Sequence, residues 1–249
     1  MYSQSRRNEA LDLLAEGLTF SEASRRTGVS RAAIRDWIAY PQRSALRASD
    51  CPICSDGELG GAAYSALLGY YLGDGCISRM PRYYSFRVSC DATYPGIIAD
   101  VDRCLIDVRP GGRIHHVRAP GAVVIQSAWL HWPCLFPQHG PGRKHERPIS
   151  LEAWQRRIVE THPGPLLRGL FHSDGCRANN WAQRLVDGQN VRHYYSRWQF
   201  TNVSQDIREL CCWALDLSDI DWRQSNRNVI SVSRRADVAR LDALIGLKS

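Results

Sequence analysis

Two aspartates share a repeated setting. Asp74 lies near the end of Leu67-Leu-Gly-Tyr-Tyr-Leu-Gly-Asp-Gly75, and Asp174 near the end of Leu167-Arg-Gly-Leu-Phe-His-Ser-Asp-Gly175, 100 residues later. Both copies read as apolar helices with a glycine at the third position, Gly69 and Gly169, and both continue with a cysteine, Cys76 and Cys176. Glycine lacks a Cβ, so two such helices can pack backbone to backbone. Gly75 and Gly175 suit the point where a helix stops and the chain turns into a strand. Side by side, the helices would bring both carboxylates to one end. Hard oxygen ligands of that kind hold divalent cations, with Mg²⁺ expected, and such a centre can hydrolyse a phosphodiester. A single Asp-Gly pair is more commonly a turn, so the duplication is what favours a site.

A second chemical signal lies between the copies, in Phe136-Pro-Gln-His-Gly-Pro-Gly-Arg-Lys-His-Glu-Arg-Pro-Ile149. Its Pro and Gly content makes it a loop, and Arg143, Lys144, His145 and Arg147 make the loop basic. Lys144 is the candidate for placing water or stabilising a developing negative charge. His139 and His145 are alternatives for proton transfer. The competing reading is a solvated loop resting on a phosphate backbone. Cys51-Pro-Ile-Cys54 has zinc-ligand spacing, but a structural zinc needs about four ligands. It is either half a zinc site or a turn with two ordinary thiols. The nine scattered cysteines otherwise fit reduced thiols in the cytoplasm.

Each acidic helix opens a block of similar layout. In the first, Ile77–Ser89 resembles a hairpin, Pro95–Ile106 a helix, and Arg113–Val117 with Val123–Ala128 a second hairpin. In the second, the corresponding pieces are Arg177–Thr201 with a turn near Asp187-Gly188, Gln205–Leu217, and Trp222–Gln224 with Val229–Val232. Arg234–Ile245 closes it as a helix. The expected class is α+β, two pseudo-symmetric αββαββα repeats at about 63–150 and 151–249, after a small all-α module. The first repeat's strands carry Arg79, Arg82 and Arg87. The second's carry Arg177, Asn179, Arg184 and Arg197. Arg pairs with guanine edges and Asn with adenine in the major groove. A solvated sheet face is the alternative.

Residues 1–42 read as helix, glycine turn and capped helix. Leu11, Leu13, Leu14 and Leu18 line the first helix, Gly28 makes the turn, and Ser30 caps Arg31–Ala39. Ile34, Trp37 and Ile38 would face inward. This segment resembles small helix-turn-helix modules, which would aim Arg31, Ala32 and Arg35 at DNA. A helical hairpin used for packing is the alternative. Residues 43–62 are polar and rich in turn formers, and read as a linker holding the CxxC.

Taken together, the two nine-residue segments resemble the motifs of the LAGLIDADG homing-endonuclease family. The resemblance covers about three-quarters of the chain. It implies two motif helices packed at a pseudo-twofold axis, with Asp74 and Asp174 beside the scissile phosphates and a twisted sheet from each repeat in the major groove. The motifs depart from the family pattern at Leu72 and His172, where an acid is common, and at Gly73 and Ser173. Regulators and splicing maturases share the scaffold without cutting.

Composition agrees with a nucleic-acid partner. The net charge is +7 and the pI about 9.1. Nearly all the positive charge is arginine, with Lys144 and Lys248 the only lysines. A basic proteome or a GC-rich genome, which also favours Arg over Lys, is the bland explanation. Hydrophobic residues at 44% and charged at 23% mark a soluble globular chain. There is no membrane-length apolar run, and no apolar core after the polar Met1–Asn8 to signal secretion. The expectation is a cytoplasmic, monomeric, metal-dependent endonuclease of double-stranded DNA, with a non-cutting regulator as the alternative.

Overall fold

The computed structural model describes residues 2, 4–41, 51–55, 57–186 and 189–249. Residues 43–50 and 56 of the linker and the turn at Asp187-Gly188 lie outside the described residues. Two compact units are present, 1–59 and 60–249.

The first unit holds α1 (Gln4–Ala15), α2 (Phe20–Thr27) and α3 (Arg31–Ala39). Ala10, Ala23, Val29 and Ile34 are fully buried, with Leu13, Leu14, Phe20 and Trp37 packed round them. Thr19 opens α2 with a reciprocal capping box to Glu22. Gly28 then takes φ 68, a left-handed conformation that favours glycine. Ser30 accepts from Ala33 N and starts α3. Ile38 departs from expectation: it is 49% exposed, because so small a core covers only the stripe of Ala33, Ile34 and Trp37.

The second unit runs in the order α4 (Gly61–Leu72), β1 (Gly75–Arg79), β2 (Tyr84–Asp91), α5 (Pro95–Val108), β3 (Ile114–Ala119), β4 (Ala122–Trp129) and a short α6 (Trp132–Leu135). After the basic loop come α7 (Ala153–Thr161), α8 (Pro163–Asp174), β5 (Gly175–Val186), β6 (Gln189–Thr201), α9 (Gln205–Asp216), β7 (Arg223–Asn226), β8 (Val229–Val232) and α10 (Arg235–Ile245). The αββαββα order thus appears twice. Each repeat forms an antiparallel four-stranded sheet, ordered β1-β2-β4-β3 and β5-β6-β8-β7.

Phe86, Val88 and Ile125 in one sheet, and Trp198, Phe200 and Ile230 in the other, are buried. Side chains alternate along a strand, so these residues define the helix-facing side of each sheet. Their neighbours point the other way. Among the described residues, no helix is long and apolar enough to cross a membrane. None of the nine cysteines is in a disulfide.

Candidate nucleic-acid interface and acidic centre

The acidic centre is built on a close backbone contact between α4 and α8. A Cβ at Gly69 would strike the Leu166 carbonyl and lie 2.9 Å from Gly169 Cα. A Cβ at Gly169 would strike the Ala66 carbonyl and lie 2.6 Å from Tyr70 N. Only glycine permits this approach at both positions. Ser65 adds a tie by donating to His162 O at 2.8 Å. One turn beyond the glycines, Gly73 and Ser173 also touch, and the helices end together. Their next residues are Asp74 and Asp174.

The two acids differ in environment. Asp74 is open to solvent on one side, yet neighbouring protein strips enough water to push its carboxyl up to about 6, with the charge of Asp174 adding to the rise. Burial also raises Asp174, but Asn202 opposes that by donating Nδ2 to Asp174 Oδ2 at 2.7 Å. Strand register identifies Asn202's counterpart. Gly75 pairs with Val88 and Gly175 with Phe200, so Cys90 takes the place of Asn202. Its thiol is raised to about 12 by burial and by Asp74.

Lys144 lies at this centre, though not as a free side chain. Its ammonium shares its three N–H donors among the carbonyls of Tyr71, Leu72, Gly73 and Gly75, at 2.9 Å, 2.6 Å and 2.8 Å for the last three. It therefore closes the C-terminus of α4, where the helix dipole favours a cation. Burial lowers it to about 8, against the opposing pull of Asp174 and Asp74.

Lys248, given no role above, faces Asp74 across a cavity of about 140 Å³, also lined by Ser89, Cys90, His172 and Ser173. Burial lowers its pKa, and the charges of Asp74, Cys176 and Asp174 oppose the shift. The tail carrying it is tied back by Gly96 N donating to Ser249 O at 2.7 Å. A sequence signal for Lys248 existed. Lys144 follows Asp74 by 70 residues and Lys248 follows Asp174 by 74, and the chain has no other lysine. Asn202 had no such signal, since only β-pairing sets it against Asp174.

His172 is half-buried and linked to the first motif helix. Its Nδ1 lies 3.1 Å from Tyr70 OH, which donates to buried Asp100 at 2.9 Å. Burial lowers its imidazole pKa. His139 is likewise lowered by burial and by Arg147.

The arginines separate by face. Arg87 and Arg197 point away from the helices, as does Arg184. Arg87 also donates to Ser78 Oγ at 2.6 Å. Arg79 and Arg82 are exposed at and beyond the end of β1. Arg177 and Asn179 lie on the helix-facing side instead. Arg177 grips Asp242 of α10 through two nitrogens at 2.9 Å each, and Asn179 accepts from Ser196 at 2.9 Å. Their parity matches Trp198, which faces the core. Arg147 is turned inward too, donating to the carbonyls of Gln138, Gly140, Pro141 and Gly142. It shapes the loop, while Arg143 stays exposed and 3.9 Å from Glu146.

In the first unit, Arg31 and Arg35 are exposed on α3. Arg31 reaches Ser21 at 3.5 Å, and Arg35 sits 5.5 Å over the Phe20 ring. Cys51 and Cys54 form one tight turn, with Cys54 N donating to Cys51 O at 3.0 Å.

No family model and no curated protein matches this sequence. Several solved structures do. The homing endonuclease I-DmoI in complex with DNA and Mn is 10% identical, with a TM-score of 0.47, over 75% of this chain and 98% of that one. The LAGLIDADG meganuclease I-AabMI bound to uncleaved DNA is 14% identical, with a TM-score of 0.44, over 73% and 82%. Full-length WhiA from Thermatoga maritima is 13% identical, with a TM-score of 0.47, over 75% of this chain and 56% of that one. These likenesses are of fold.

Proposed function

We propose that this chain is a site-specific endonuclease that hydrolyses one phosphodiester in each strand of double-stranded DNA. The observation that carries the reading is the convergence of both duplicated acids and both lysines at one end of a glycine-packed helix pair. Each cut is a hydrolysis: water oxygen bonds to phosphorus, one P–O ester bond breaks, and the leaving oxygen takes a proton. The donors fit a hard divalent cation, since Asp74 and Asp174 offer carboxylate oxygens at a solvent-open edge. Asp74 and Asp174 would hold such a cation, which would supply positive charge at the scissile phosphate and help deprotonate water. Lys144 and Lys248 add fixed positive charge against the transition state. Arg87, Arg184 and Arg197 would meet base edges or phosphates. One chain carries both repeats, so a monomer suffices.

Incubation of the full chain with a randomised duplex library and Mg²⁺ tests this. The wild type should cut, and Asp74→Asn and Asp174→Asn should not. A specific observation also favours a second reading, a non-cutting DNA-binding regulator. The three-helix unit presents Arg31 and Arg35 on α3, where a recognition helix would place them. Sequence-selective binding with no cutting by the wild type in Mg²⁺ or Mn²⁺ would establish that reading. We also keep the Cys51–Cys54 turn as half of a proposed structural zinc site. Zinc in the purified chain that is lost in Cys54→Ser supports it, and metal-free wild-type protein removes it.

A further inference from the structure

The two repeats differ most in their first hairpins. β1 and β2 are 5 and 8 residues long, whereas β5 and β6 are 12 and 13. Every β2 residue from Tyr84 to Asp91 is also paired with β4, so the first hairpin lies wholly inside its sheet. The second hairpin does not. β8 pairs with β6 only from Trp198 to Thr201, while β5 and β6 stay paired from Ala178–Arg197 out to Val186–Gln189. Those pairs form a two-stranded ribbon that runs on beyond the third strand, its base beside α10 at Val238 and Asp242. At about 3.4 Å per residue it extends roughly 27 Å.

An isolated two-stranded hairpin is marginal in water, and this one carries its own stiffening on the helix-side face. Trp181 stands directly opposite Tyr194, and Arg192 lies 4.6 Å over the Trp181 ring. Below them Ser196 donates to Asn179 at 2.9 Å. A cross-strand cation–π contact of this kind adds stability where no third strand does.

The opposite face is suited to reading a duplex. It carries Asn180, Arg184, His193 and Arg197 with the small Ala178 and Ala182 between. Asn180 and Tyr195 are joined across the strands at 2.7 Å. Neither described strand contains an Asp or Glu. A two-stranded ribbon fits the major groove, which is about 12 Å wide. This face also continues from the side of the sheet that carries Cys176 and Gln199, next to Asp174.

We propose that the β5–β6 ribbon gives the second repeat a longer DNA half-site than the first, reaching along the major groove beyond the sheet. The inference rests on the double-stranded DNA reading above. At about 3.4 Å of duplex per base pair, the ribbon spans up to roughly eight further base pairs.

The test is hydroxyl-radical footprinting of the full chain, in Ca²⁺, on duplexes recovered by binding selection from a randomised library. In the ribbon variant, Ala182–His193 is replaced by Asn-Gly, a two-residue turn that closes Trp181 against Tyr194. The protected region should retreat by about five base pairs at one end only, with the other end unchanged. A second variant, Arg184→Ala with His193→Ala, keeps the ribbon and should weaken binding about tenfold, with a shallower salt dependence. An unchanged footprint in the truncated protein, or retreat at both ends, overturns the inference while DNA binding stands. A wild type that protects no selected duplex overturns both. A ribbon truncation that leaves DNA affinity intact but releases a second protein would assign the ribbon to protein contact instead.

Discussion

Asn202 donates its side-chain amide to Asp174 at 2.7 Å, while Cys90 occupies the matching register position beside Asp74. The pseudo-symmetric acids are therefore not equivalent. Residues that orient a metal-binding carboxylate commonly matter by 10–100-fold. Asn202→Ala should slow one of the two strand cuts by about tenfold, so nicked plasmid accumulates before the linear form. Cys90→Ala should leave the ratio of nicked to linear product unchanged. Equal slowing of both strands in Asn202→Ala would refute the asymmetry.

The lysines should separate by stability. Lys144 closes four carbonyls at the end of α4, and Lys144→Met leaves them without that donor in a half-buried place. Loss of about 1–3 kcal/mol is expected, seen as a lower Tm together with loss of cutting. Lys248→Met removes a charge lining an open-sided cavity. Its Tm should change little while cutting falls. Equal stability losses would contradict the capping role of Lys144.

The acidic pair predicts a pH signature in metal-free protein. Asp74 is raised to about 6 when folded, against about 3.9 when unfolded. A carboxyl raised on folding contributes stability below the unfolded value, and loses it as pH rises through 6. At pH 7.5 the charged pair thus opposes folding. Asp74→Asn should stabilise the metal-free chain there by on the order of 1 kcal/mol after solvent screening, or roughly 2–4 °C in Tm. The gain should shrink as pH falls from 6 towards 4. A gain that grows on acidification would have the wrong sign.

The helix contact makes the sharpest stability prediction. Gly69→Ala places a methyl against the Leu166 carbonyl and Gly169 Cα, and neither backbone can yield without separating α4 from α8. Overpacking of this kind costs about 1–3 kcal/mol or more, and should exceed the roughly 1–2 kcal/mol of Gly111→Ala, where a Cβ meets nothing and only the φ of 75° is strained. Denaturant midpoints measured side by side decide it.

Much of this protein was legible in its sequence because the signals were local and doubled. The Gly-containing apolar segments, the acids that follow them and the strand–helix–strand spacing repeat within each copy, and these settle the αββαββα order and the partnership of Asp74 with Asp174. The three short helices were legible for the same reason, from Gly28 and the Ser30 cap. What tertiary structure decided depends on partners far apart in the chain. Only the packing of Trp198 and Phe200 fixed which side of β5 meets the helices, and so sent Arg177 to Asp242. Arg147 looked like a free cation until loop closure gave it four carbonyls. Asn202, Cys90 and Lys248 reach the acidic centre through β-register and a returning tail. The sequence determined where the two acids stand on their own helices, because helix and turn propensities act over a few residues. Only the fold decided which side chains gather round them, because register and burial are set by the whole unit at once.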